Sequence, residues 1–340
     1  MASCPVGATE SSSAADPPLG GLAPGRVSTV AADDGTPISV EEIDPADGGR
    51  PAVTVVGVHG FALSRLSWHY QRKALGALRM PRVRQIYYDH RGHGESAPAD
   101  AAASTIEQLA ADLHAVVRAV APGEPIVLLG HSMGGMVIME LAQACPELFE
   151  DQVRGVVLIA TAAGEVGSRG LPRSLLSKYN PLTRGVGELA GWQPGLVEFV
   201  RAAGSQLTRH AVRRLAFGKR EVSSELVDFM LQMLAVSPVQ QLAKFTDTLG
   251  SHNRYAALAG LKHVHTLVVG GDADRVTPYP HTERIAAELP DAAVLRVRGA
   301  GHMVHLEQPD LVNSHVIDLV QACAGIDGQR RRRKIRWWRR

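Results

Sequence analysis

The sequence predicts an α/β protein: a mostly parallel central sheet with helices on both faces and an inserted helical lid. Three observations carry that expectation. Short, largely apolar runs at 53–58, 126–129 and 153–159 stand between helical patterns, the signature of strands buried on both faces of a sheet. Ile106, Leu109, Leu113, Val116 and Val117 fall at helical spacing, which makes 104–120 an amphipathic helix. The strand rhythm stops after Thr161 and returns at His265, and the stretch between is helical in pattern with Gly and Pro punctuation.

The chain has 340 residues, 45% hydrophobic and 21% charged, the balance of a globular protein with a full core. Its net charge of +2 conceals an asymmetry. Residues 330–340 carry eight Lys or Arg and no acid, so +2 minus 8 leaves the body at about −6. Cys4, Cys145 and Cys323 are odd in number, far apart and without metal-type spacing, which suits a reducing cytoplasm. Residues 1–25 are rich in Ser, Ala, Gly and Pro. They lack the basic start and apolar run of a secretory signal and are expected to be disordered. No apolar stretch approaches the roughly 18–20 residues that span a bilayer.

The elements follow in order. A strand at 53–58 ends in His59-Gly60-Phe61, and a second at 83–88 leads into Asp89-His-Arg-Gly-His-Gly-Glu-Ser96. After the helix 104–120 come a strand at 126–129, a helix at 133–144 and a strand at 153–159. Beyond the helical stretch lie a strand at 265–269, a helix at 279–289, a strand at 293–297 and a last helix at about 308–324. The expected organisation is a disordered segment 1–25, a core of 26–163 and 253–327, a helical cap 164–252, and a basic Trp-containing tail 328–340.

Chemistry concentrates first at Gly130-His131-Ser132-Met133-Gly134, between a strand and a helix. A strand that turns at once into a helix strains its central residue, and side chains two residues to either side would collide. Gly130 and Gly134 relieve that collision and lift Ser132 into the open. Backbone N–H groups at the helix start then face negative charge developing beside the serine.

With Gly-His-Ser-Met-Gly-Gly at 130–135, His-Gly-Phe at 59–61 and Asp-His-Arg-Gly-His-Gly-Glu-Ser at 89–96, the chain resembles the α/β-hydrolase superfamily. It is most similar to the branch of single-domain esterases, cofactor-free haloperoxidases and carbon–carbon bond hydrolases, over about 26–163 and 253–325. A serine nucleophile needs a base, and the base needs an orienting acid. The resemblance places the base at His302, in the loop after 293–297, followed by a Glu-x-Pro segment that Glu307-Gln-Pro309 matches. His305 is the nearest competitor. In Gly270-Gly-Asp-Ala-Asp-Arg-Val-Thr-Pro278 the family's spacing favours Asp274 as the acid, with Asp272 as the alternative. The expected oxyanion-hole donors are the backbone N–H groups of Phe61 and Met133. Asp89, Arg91 and Glu95 are expected to form a structural loop beside the site.

The leading function is therefore hydrolysis of an ester or related acyl bond of a small molecule through an acyl-enzyme. Carbon–carbon bond hydrolysis or perhydrolysis with the same triad is the alternative, and a binding protein that kept the fold without turnover is a third reading. No metal and no organic cofactor is implied; His263-Val-His265 lacks convergent acidic or cysteine ligands. In the cap, Trp192, Phe199, Phe217, Phe229, Met230, Met233 and Phe245 are candidates for an apolar acyl pocket, although apolar residues at helical spacing are more often ordinary core. The tail's dense charge and its Trp337 and Trp338 suit peripheral contact with an anionic membrane surface or with nucleic acid. Membrane contact predicts salt-sensitive sedimentation with anionic vesicles that disappears when 329–340 are removed; sedimentation indifferent to salt or to the deletion contradicts it.

Overall fold

A computed structural model describes residues 17–166, 205–218 and 221–325. Its strands are β1 (Arg26–Ala31), β2 (Pro37–Ile43), β3 (Val53–Val58), β4 (Val83–Tyr88), β5 (Ile126–His131), β6 (Val153–Ile159), β7 (His265–Gly271) and β8 (Ala293–Val297). They lie in the order β1-β2-β4-β3-β5-β6-β7-β8. β2 pairs antiparallel with β1 and β4, and the remaining neighbours are parallel. The mostly parallel sheet is thus as expected. β5 and β7 each run two residues past the apolar stretch read from sequence, because Gly130 and His131 keep pairing with Leu158 and Ile159, and Gly270 and Gly271 with Arg296 and Val297.

Helices α1 (His69–Gly76), α2 (Ile106–Val120), α3 (Met133–Ala144), α4 (Pro146–Asp151), α5 (Ser205–Ala216), α6 (Ser224–Val236), α7 (Val239–Ala243), α8 (Thr246–Ser251), α9 (Pro280–Glu288), α10 (Val304–Glu307) and α11 (Pro309–Cys323), with 3-10 turns at Arg65–Trp68 and Ala256–Leu261, complete the described elements. Thr105 caps α2, its hydroxyl accepting the Gln108 N–H at 3.1 Å, which satisfies one of the helix's orphan donors. Successive strand residues point to opposite faces, and the core divides accordingly. Val56, Val58 and Leu128 pack with α2, α3 and α9 on one side; Val55, Val127 and Leu129 pack with α1 and α11 on the other. Each face packs a buried apolar cluster, which holds the strand ends, and the loops they carry, in fixed register.

Two features differ from the sequence reading. The first is the antiparallel pair β1–β2, which the apolar-run criterion passes over. β2 carries Glu41 and Glu42, which charge alone would place on the surface. Both are buried and paired: Arg72 lies 3.0 Å from Glu41, while Arg26, at 2.8 Å, and Arg84 meet Glu42. The second is residues 17–25, expected to be disordered. Leu19 packs on the apolar cluster around Phe229, the Gly20 N–H donates to His69 Nδ1 at 3.2 Å, and the Gly25 N–H donates to Glu41 at 2.7 Å. Apolar burial and these bonds offset the ordering entropy of this short stretch.

Between β6 and β7 the described elements are the helices α5 to α8 and a 3-10 turn at Ala256–Leu261, with a single β-bridge between Gly164 and Asn253. Of the pocket candidates, Phe217, Phe229 and Met233 are buried in one cluster with Leu63, Met303 and Leu306; Met230 packs against that cluster, and Phe245 joins the main core. Trp192, Phe199 and the tail lie outside the described residues. The 89–96 loop is built on ion pairs. Arg91, 1% exposed, reaches Asp112 at 2.6 and 2.5 Å and Asp34 at 2.7 Å. Asp89 accepts the Arg65 backbone N–H at 2.7 Å and its guanidinium at 2.5 Å, and Glu95 takes the same guanidinium at 2.6 Å.

The chain leaves β3 for β4 on one side and returns to β5 on the other. Connections diverge at that point, and the carboxyl ends of strands beside such a divergence are the place where open parallel sheets bind ligands.

Candidate active site

Ser132 occupies the single residue between β5 and α3 and adopts φ +52°, ψ −117°, a conformation that costs a non-glycine residue about 1–3 kcal/mol. Neighbouring bonds hold it there. Its N–H donates to the Ile159 carbonyl at 2.9 Å, and the Thr161 hydroxyl donates to its carbonyl at 2.7 Å. The flanking glycines answer to close approach. A Cβ on Gly130 would lie 2.7 Å from Ile138 Cδ1 and 2.8 Å from the Gly134 carbonyl, and one on Gly134 would run into the Val58 carbonyl. The expected collision is therefore present, and the same packing presses the start of α3 against the end of β3.

The loops after β7 and β8 bring the other two groups to this point. His302 Nε2 lies 2.9 Å from Ser132 Oγ, and His302 Nδ1 lies 2.9 Å from Asp274 Oδ2. The distances fit a chain in which the serine hydroxyl donates to Nε2 and the Nδ1–H donates to the carboxylate. Ser132, His302 and Asp274 are 8%, 8% and 6% exposed, a setting in which such bonds are little screened by water.

The structure separates the two aspartates. Asp274 Oδ1 accepts the N–H groups of Val276 and Thr277 at 2.7 and 3.0 Å, a local turn that leaves Oδ2 for His302. Asp272 faces elsewhere: it accepts the Gly299 N–H at 2.7 Å and lies 3.5 Å from Arg296, tethering the loop that carries His302. Thr277 is a residue the sequence reading missed. Its hydroxyl lies 3.0 Å from Asp274 Oδ2, 2.8 Å from the Ala160 carbonyl and 3.2 Å from His302 Nδ1. A hydroxyl three residues beyond an aspartate in a loop was the available signal, but that pattern fits any turn.

The His59-Gly60-Phe61 loop reaches the serine from β3. A Cβ on Gly60 would sit 3.2 Å from Ser132 Cβ and 2.7 Å from His131 Nδ1, so only glycine lets this backbone come so near. The backbone at Gly60 and the first residue of α3, Met133, therefore both border Ser132. The loop is braced by imidazoles. His59 Nδ1–H donates to the Gly60 carbonyl at 2.8 Å, His59 Nε2 accepts the His90 N–H at 3.0 Å, and His90 Nε2–H donates to the His59 carbonyl at 3.0 Å.

A mostly parallel sheet that carries a strained serine at a strand-to-helix turn between two glycines defines a class of α/β protein. The chain belongs to the alpha/beta hydrolase family, whose model matches residues 55–315. Among curated proteins it is similar to the dihydrolipoyllysine-residue acetyltransferase component of the acetoin cleaving system of Pseudomonas putida. The two are 29% identical over 273 residues, which cover 79% of this chain and 64% of that protein; the chain thus spans less than two thirds of that relative's length. Among solved structures it superposes on an esterase from Exiguobacterium antarcticum with a TM-score of 0.69 at 19% identity, covering 87% of this chain and 100% of that one. A bromoperoxidase from Bacillus anthracis gives a TM-score of 0.65 at 18% identity over 87% and 100%.

Behind the site lies a second set of imidazoles. His131 Nε2–H donates to the His302 carbonyl at 3.0 Å, and the His131 ring stands 4.4 Å from that of His305, which lies 5.3 Å from Trp68. His305, the sequence's competitor for the base, is fully buried and forms part of this packing. Burial pushes its imidazole down to about 3. A folded-state value below the unfolded one of about 6.5 means that the unfolded chain takes up the proton first. Stability that this neutral ring preserves at pH 7 is lost as pH falls from about 6.5 towards 3. Relative to His305→Asn, wild type should lose about 1.4 kcal/mol per pH unit in that window, read from urea unfolding at pH 7 and pH 5. A difference between the two proteins that stays constant with pH contradicts a buried neutral imidazole.

Proposed function

We propose that this protein is a serine hydrolase that cleaves esters or related acyl bonds of small molecules through an acyl-enzyme, with Ser132 as nucleophile, His302 as base and Asp274 as the orienting acid. The continuous chain of two 2.9 Å contacts from Ser132 Oγ through His302 to Asp274 Oδ2 carries this reading. Membership of a hydrolase family supports it, as does the fold shared with an esterase.

In this mechanism Ser132 Oγ forms a bond to the acyl carbon while its proton passes to His302 Nε2. Asp274 holds Nδ1–H, fixing the tautomer and stabilising the imidazolium. Negative charge on the former carbonyl oxygen is met by the backbone N–H groups of Phe61 and Met133, the second reinforced by the positive end of α3. Collapse expels the alcohol, which takes the proton from His302. Water then repeats the sequence on the acyl-enzyme and releases the acid. The segment 164–252 serves as a cap that bounds the acyl pocket, and the basic tail as a peripheral contact from the cytoplasmic side of an anionic membrane.

A fluorophosphonate probe with intact-protein mass analysis tests the assignment. Wild type should take up one probe, and Ser132→Ala none, with turnover of p-nitrophenyl esters falling by roughly four to six orders of magnitude in the variant. Equal labelling of both proteins, or unlabelled wild type, removes the serine-hydrolase reading.

A further inference from the structure

The helical insertion meets the core beside His302. Residues 216–218, which close α5, lie backbone to backbone on the loop that carries His302. The Met303 N–H donates to the Ala216 carbonyl at 2.9 Å. A Cβ on Gly218 would lie 2.6 Å from the Ala300 carbonyl carbon and from Gly301 N, and one on Gly301 would lie 2.9 Å from Phe217 Cα. No side chain separates the two segments.

One carboxylate spans this contact. Glu307 Oε2 accepts the Gly218 N–H at 2.8 Å, and Glu307 Oε1 accepts the Gly301 N–H at 2.7 Å. One oxygen therefore holds the insertion and the other holds the residue before His302. We propose that Glu307 is a positioning residue that ties the seating of α5 to the seating of the His302 imidazole, so that how the insertion lies over the site sets how well the base meets Ser132.

This inference rests on the reading of His302 as the base. Glu307 itself touches neither Ser132 nor the imidazole in the hydrogen-bond network described above; it acts through the backbone at Gly301. A carboxylate is suited to the task because it has two acceptor oxygens and no donor. Glutamine offers one oxygen and one NH2, so it can accept only one of the two N–H groups and presents a donor to the other. Burial pushes the Glu307 carboxyl up to about 6, and the other titratable groups facing it are Asp274, which raises it further, and His302, which lowers it; at neutral pH it is ionised and able to accept both bonds.

The test combines amide hydrogen exchange with kinetics on the full chain. In Glu307→Gln, the amides of Gly218 and Gly301 should both lose protection, by about tenfold for at least one and measurably for the other, while those of β5 stay unchanged. The rate of fluorophosphonate labelling at Ser132 and kcat for p-nitrophenyl acetate should each fall about tenfold, with KM within about twofold. Loss of protection at one amide only, or at neither, overturns the tie. Loss at both with unchanged kcat and labelling rate overturns its effect on the base. If Glu307→Gln fails to fold, as judged by circular dichroism, Glu307→Asp, which keeps the charge but shortens the reach, takes its place with the same outcomes. Wild type that never labels would defeat the hydrolase reading separately, and the exchange data would still decide whether Glu307 links the two segments.

Discussion

A serine forced into left-handed backbone between a strand and a helix is the constraint on which the site is organised. That turn works only where β5 ends and α3 begins without a spacer, where Gly130 and Gly134 admit the close approach, and where Ile159 and Thr161 hold the Ser132 peptide on both sides. Each condition depends on the next layer out. β6 must lie in register beside β5 for Ile159 to accept the Ser132 N–H, and β3 must end level with β5 for its carbonyls to meet Gly134. The two apolar faces of the sheet fix that register, because a slip of one residue would turn buried side chains toward the wrong face.

The same edge of the sheet gathers parts from distant stretches of chain. Asp274 and His302 follow β7 and β8, and the loop of His59, Gly60 and Phe61 follows β3. These loops are held by bonds that involve neither the Ser132 hydroxyl nor the His302 ring: Asp272 to Gly299, His131 to the His302 carbonyl, His59 to Gly60, and Thr277 to the Ala160 carbonyl. Such supporting contacts keep a hydroxyl, an imidazole and a carboxylate within hydrogen-bond reach without the substrate having to assemble them. Glu307 extends this support outward to the helical insertion, where the other bonds end within the core.

Much of this was legible in the sequence, for a physical reason. Parallel strands buried on both faces are apolar throughout, so β3, β5 and β6 announce themselves, and a strand-to-helix turn around a serine demands small residues at fixed offsets. The antiparallel edge escaped because Glu41 and Glu42 are buried with arginines from α1, β1 and β4, partners that only the fold brings near. The choice between Asp272 and Asp274 had to come from family spacing, since the two carboxylates are two residues apart and chemically equal until Gly299 and His302 take one each. Thr277 could not be singled out because, besides Asp274 in its own loop, its neighbours Ala160 and His302 come from two other loops. Residues 17–25 look like the start of a disordered segment by composition, yet one leucine and two backbone bonds suffice to place them.

Covalent chemistry at the Ser132 hydroxyl decides the proposed function. Rapid mixing of wild type with p-nitrophenyl acetate, acid quench and peptide mass mapping examine it directly. The account predicts a burst of p-nitrophenolate matched in time by an acetyl group on the peptide containing Ser132, and neither in His302→Gln. Turnover with no covalent adduct, or an adduct on a different residue, would contradict it.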